Sequence, residues 1–168
     1  FTITVASFPD VVTVTPAPHT PNVPTEIYLE LGFSQTMDRP SVENSTLTLS
    51  ELTDTRANSG TVVTEFNLPL SSDWITPKWH DSPRGIDTLL KVTVTSNVPN
   101  VSNPPFSLTP ATTYLVQMYD NQAKAEATNL PLFLGGGPGG GSFDGINLQS
   151  GFEFTTVDTS TPTAIGYQ

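Results

Sequence analysis

The chain has 168 residues, of which 16 are proline, 12 are glycine and none is cysteine, and its formal net charge is −10 with only six lysines and arginines. That length allows one domain with a real core, and the missing cysteine excludes disulfides and thiolate metal sites. The acidic balance argues against nucleic-acid binding, which needs a cationic footprint to displace counterions, and against docking on anionic lipid.

Abundant proline and glycine work against long helices, while the Thr, Ser and Val content suits many short strands. No apolar run reaches the roughly 18 residues of a membrane helix. No signal-peptide pattern is visible at Phe1, which reads as a mature product or an excised piece. The surface charge keeps the chain soluble by repulsion; the other use for it is cation binding.

Phe1, Ile3 and Val5 alternate with Thr2 and Thr4, so Phe1–Ala6 reads as a strand. Pro9-Asp10 separates it from the next apolar run. Residues 1–10 are therefore the chain's own first strand, the tail of a preceding module, or a donor strand lent to a neighbour. Val12 and Val14 begin a second run. Thr15 to Pro24 holds prolines 16, 18, 21 and 24 and reads as an extended linking loop.

Thr25–Val42 is the most informative stretch. Ile27, Leu29, Leu31 and Phe33 alternate with Glu26, Tyr28, Glu30 and Gly32, which marks a half-buried central strand. Ser34, Gln35, Asp38, Arg39 and Pro40 then read as a turn, with Met37 tucked back under the sheet. Thr46–Leu52 alternates again, with Leu47 and Leu49 on one face. Arg56–Gly60 reads as a polar turn. Thr61–Leu68 comes next, with Val62, Phe66 and Leu68 on one side.

Pro69 to Gly85 reads as a long loop holding Trp74 and Trp79. Thr88–Thr95 is a strand with Leu90, Val92 and Val94 inward and Lys91 and Thr93 outward. Asn97–Pro105 is a proline-rich turn. Leu108, Pro110 and Tyr114 have the spacing of a tyrosine corner, in which the hydroxyl bonds back to the chain upstream and pins the start of a strand. Lys124–Thr128 is long enough for one helical turn. Leu130–Leu134 is an apolar run beside the spacer Gly135–Gly141, a place to dock a partner. Phe152 and Phe154 give a last strand, and Thr159–Gln168 reads as a linker. The sum is an all-β fold, an Ig-like antiparallel β-sandwich of seven to eight strands over residues 11–158.

Three stretches resemble the bacterial Ig-like domains of S-layer and tandem cell-surface or adhesin proteins. The first runs from Val12–Pro16 through Ile27–Ser34 to Met37-Asp38 and Ser41-Val42. The second is Leu108-x-Pro110-x-Thr112-x-Tyr114, and the third is Phe152-x-Phe154-Thr155-Thr156. The resemblance departs at residues 69–87 and 135–145, which are longer here. It implies a non-enzymatic structural module of an extracellular or cell-surface protein, acting in spacing, adhesion or assembly. Its partners would be neighbouring Ig-like modules or copies of itself.

The candidate sites are few. Trp74, Lys78, Trp79 and Arg84, with His80, group aromatic rings and charges as a glycan-binding surface does; the competing reading is that the tryptophans cover the core. Asp120, Asp144 and Asn147, with Asn121 and Asp38, are loop oxygens suited to calcium, although ordinary turns use the same residues. Phe1, Ile3 and Val5 are the assembly candidates, suited to strand donation into a neighbour's sheet in a pilus-like filament. The glycine run lacks the Lys-Ser/Thr of a phosphate loop. Asn44-Ser45-Thr46 and Asn100-Val101-Ser102 fit the glycosylation sequon, a match that this composition produces by chance. Neither His19 nor His80 stands in a catalytic motif, so no catalytic residue and no cofactor beyond calcium is expected.

Overall fold

The alternation at residues 27–33 governs how the chain folds. In the computed structural model, which describes residues 7–52, 61–94, 107–118, 122–132 and 146–159, Ile27, Leu29, Leu31 and Phe33 are 6%, 2%, 0% and 0% exposed, whereas Tyr28 between them is 39% exposed. Among the described residues nine strands form: β1 (Val11–Thr15), β2 (Thr20–Val23), β3 (Tyr28–Phe33), β4 (Thr46–Leu52), β5 (Val62–Pro69), β6 (Ile75–Ser82), β7 (Gly85–Val94), β8 (Thr113–Met118) and β9 (Phe152–Thr156). One sheet has the order β1-β3-β7-β6 and the other β2-β9-β8-β4-β5. All neighbours are antiparallel except β2 and β9. Lettered along the chain, the sheets are A-B-E-D and A′-G-F-C-C′.

The core lies between the sheets. Leu29, Leu31 and Phe33 of β3 and Leu90 and Val92 of β7 meet Leu47, Leu49, Val116, Phe152 and Phe154 of the other layer. Met37, 1% exposed, does fold back under the sheet.

Two strands lie where loops were expected. β6 sits inside 69–85, and its Pro77 is tolerated because β6 lies at a sheet edge, paired among the described strands with β7 alone, so the missing N–H costs no rung with a second strand. β2 sits inside the proline-rich segment for the same reason. It runs along β9, with the N–H of His19 donating to Glu153 O and that of Val157 to Val23 O. These two account for the excess over seven or eight strands.

A helix also appears where a turn was expected: α1, Arg39–Glu43. Asp38 caps it, its Oδ2 accepting from the Ser41 N–H at 3.2 Å, and Pro40 occupies the first turn, where an N–H would have no partner. In β1 the buried valines are Val11 and Val14, not Val12 and Val14. The register jumps between Val11 and Thr13, so Val12 is the extra residue of a bulge and the facing parity resets. In β5, Leu68 is buried and Phe66 packs against the core, but Val62 is 48% exposed. Residues 124–128 form a turn closing a small hairpin rather than a helix.

Candidate functional site

The residues grouped as a glycan surface separate once β6 forms. Trp79 pairs with Leu90 and Lys78 with Lys91, so strand alternation puts the indole and the ammonium on opposite faces. The Trp79 ring is partly buried and stacks on Phe33, centroids 6.0 Å apart at 27°. Its Nε1 donates to Glu43 Oε1 of α1 at 2.9 Å. Trp74 is also partly buried against the core. Arg84 lies in the turn between β6 and β7 and donates from Nε to the Phe33 carbonyl at 2.9 Å. Lys78 and His80 are exposed. Two aromatic faces are thus engaged with the protein, and the cations stand apart from them.

Of the oxygen donors, Asn147 accepts from the Ser150 N–H through Oδ1 at 2.9 Å, which closes the turn before β9. Asp120, Asn121 and Asp144 lie outside the described residues, as do Phe1, Ile3 and Val5 and the spacer Gly135–Gly141. Asp38 is committed to the α1 cap. Among the described residues, no group of three or more His, Asp or Glu is placed to hold a metal ion, and no helix is long and apolar enough to cross a membrane.

The expected corner forms. The Tyr114 hydroxyl accepts from the Thr109 N–H at 2.9 Å, and its ring, 1% exposed, stacks on Phe154. Burial pushes the phenol's pKa up, because a phenolate would lose its water; the bond with Thr109 works the other way. Thr156 completes the joint by donating to Thr109 O at 2.6 Å and accepting from the Thr112 N–H at 3.0 Å.

Two polar groupings carry no local motif. On the outer face of the β1-β3-β7-β6 sheet, Tyr28 donates to Glu30, with Lys91 Nζ 3.6 Å from that carboxylate and Thr15 donating at 3.3 Å. The Tyr28 bond above all holds the Glu30 pKa below its usual value; partial burial opposes this and Lys91 adds to it. Their outward parity in β3 and β7 is the only sign of them in the sequence. The second is an ion pair in which Arg39 of α1 clasps the Asp87 carboxylate of β7, with Nε donating at 2.7 Å.

One recess of about 470 Å³ lies where β1 crosses to β2, lined by Pro16, Pro21, Val23, Pro24, Glu26 and Tyr28 among others. It is mainly apolar, and the Tyr28 hydroxyl at its rim is already bonded to Glu30. Among the described residues that line it, Glu26 supplies a carboxylate, and no lysine, arginine or histidine joins it.

The two ends of the sandwich are distinct. Ser7 and Asp10 are tied to Gln35 and Ser34, just beyond the end of β3. Val157 is tied to Val23, and Leu108 to Thr25, just before β3 begins. The chain therefore enters at one end and leaves at the other.

No family model and no curated protein matches the chain. Two solved structures are loosely similar. The crystal structure of the S-layer protein rSbsC(31-844) is 16% identical with a TM-score of 0.40, over 89% of this chain and 14% of that one. The crystal structure of the N-terminal part of the bacterial S-layer protein SbsC is 15% identical with a TM-score of 0.38, over 89% and 23%. The chain thus spans under a quarter of either protein.

Proposed function

We propose that the chain is a non-enzymatic structural module of a cell-surface or extracellular protein. It would act by spacing, linking or assembling neighbouring modules or copies of itself. The observation that carries this reading is the placement of the incoming and outgoing chain at opposite ends of a closed sandwich. Asp10 and Val157 lie beyond opposite ends of β3, the geometry that lets modules succeed one another in a line. The tyrosine corner and the A-B-E-D order support an Ig-like module in particular. The tryptophans, Asp38 and Asn147 serve packing, a helix cap and a turn, which fits a structural role better than a catalytic one.

The test is a head-to-tail tandem of two copies, compared with one copy by small-angle X-ray scattering. The maximum dimension should grow by at least the length of β3, about 20 Å for six residues at roughly 3.3 Å each. A tandem no longer than the single copy overturns the spacer reading. Turnover above background in a broad hydrolase and transferase screen overturns the non-enzymatic one.

A further inference from the structure

Val157 directly follows β9 and is held from two sides. Its N–H donates to Val23 O at 2.8 Å on the β2 side, and its carbonyl accepts from the Ala111 N–H at 3.1 Å on the β8 side. Val23 is also part of the wall of the apolar recess between β1 and β2, with Pro16, Ala17, Pro21, Pro24 and Tyr28. At about 470 Å³ this recess falls within the roughly 300–1,000 Å³ of binding clefts. Its proline rings make a stiff wall. Ala17, Pro21, Pro24 and Tyr28 are exposed, so an apolar side chain laid among them takes several apolar surfaces out of water at once.

We propose that this recess seats residues 160–168 of the same chain, with Ile165 and Tyr167 as the groups it buries. That segment lies outside the described residues and directly follows Thr159. The occupant is identified by reach, position and charge. The chain from Val157 to Ile165 spans up to roughly 26 Å, at about 3.3 Å for each residue. The recess begins at Val23, to which Val157 is bonded, so the tail has ample slack to turn back, and Pro162 suits the turn. Closing so short a loop costs little entropy. Residues 160–168 carry no charged side chain, whereas Glu26 lines the recess and Glu30 is bonded to Tyr28 at its rim. In a chain of net charge −10, an uncharged segment is one that these carboxylates do not repel. The Tyr167 hydroxyl has a ready acceptor in Glu26. Phe8, 53% exposed, is apolar too, but its neighbours Ser7 and Asp10 are held beyond the far end of β3. Seating of the tail and spacing of modules are separate properties, because the recess and Val157 lie at the same end of the sandwich.

The chain has no cysteine, so introduced thiols are unique. Full-length Gly166→Cys is combined with Ala17→Cys in the recess or, for comparison, with Ala111→Cys. Both alanines are exposed, and Ala111 touches Val157 itself, so an unanchored tail meets it at least as often. In dilute, mildly oxidising solution the internal disulfide should form at least tenfold faster with Ala17→Cys. Adding Ile165→Ser and Tyr167→Ser should abolish that preference while near-ultraviolet circular dichroism stays unchanged. Equal rates, a faster reaction at Ala111→Cys, or a preference that survives the two serines overturns the proposal. Disulfide-linked dimers in place of the internal bond put the tail on a second copy and overturn it as well. The unsubstituted chain gives a second readout. Its nuclear magnetic resonance spectra should show Overhauser contacts from the Ile165 or Tyr167 side chain to Pro21 or Tyr28, and their absence overturns the proposal.

Discussion

Gly32→Ala is the sharpest test of how the outer face of β3 is packed. Gly32 is an interior strand residue, and with open space above it alanine would stabilise by about 0.5–1 kcal/mol, because glycine loses more conformational freedom on folding. The space is not open. A Cβ at this position would lie 2.0 Å from Thr13 Oγ1, 2.7 Å from Arg84 Nη2 and 3.4 Å from Thr13 Cβ. The threonine hydroxyl must turn away, and the guanidinium must lift while its Nε holds the Phe33 carbonyl. Overpacking of this kind costs about 1–3 kcal/mol, so the net loss is about 0.5–2 kcal/mol. With a urea dependence of about 2–3 kcal/mol per molar, the midpoint falls by roughly 0.2–1 M. Tryptophan fluorescence reads the transition, since Trp79 stacks on Phe33, the next residue. Thr13→Ala in the same chain removes the closest contact and should restore most of the loss. A Gly32→Ala protein more stable than the parent, or a double variant no better than the single one, would refute the packing described.

Tyr114→Phe leaves the Thr109 N–H without its partner and should cost about 1–3 kcal/mol in equilibrium denaturation. It should also remove an alkaline arm of the stability profile. The folded phenol's pKa is raised, so its contribution is complete below the unfolded value of about 10 and is lost as pH climbs through the folded value. Glu30 works at the other extreme. Its folded pKa is lowered, so its contribution is present above the unfolded value of about 4.3 and is lost as pH falls through the folded one. Glu30→Gln should flatten the acid limb of a thermal-stability profile; an unchanged limb would show that the Tyr28–Glu30–Lys91 grouping does not couple to folding.

Side-chain parity in β3, β4, β7, β8 and β9 is visible in the residues because each of these strands has one face in the core and keeps an unbroken period of two. The tyrosine corner is legible because its geometry is local, with donor and acceptor five residues apart. β2 and β6 are hidden by proline, which reads as loop until the strand is known to lie at an edge. The inward parity of β1 is displaced by one residue from the simple alternation because a bulge leaves no mark in composition. α1 is too short to show helical periodicity and depends on the Asp38 cap. The grouping of Trp74, Lys78, Trp79 and Arg84 falls apart because β6 alternates. The partner of Arg84 is a carbonyl 51 residues away, and nothing near Arg84 in the chain points to it.

The parallel pairing of β2 with β9 bears on what happens when the molecule is stretched. Tension applied at Asp10 and Val157 drags β1 lengthwise past β3, and β2 lengthwise past β9, because each outer strand is pulled along its own axis. The rungs between them then share the load together instead of tearing in succession like a zip. A fold threaded in this way should yield abruptly, with the short β2, irregular in its register along β9, as the fastener that resists being drawn out.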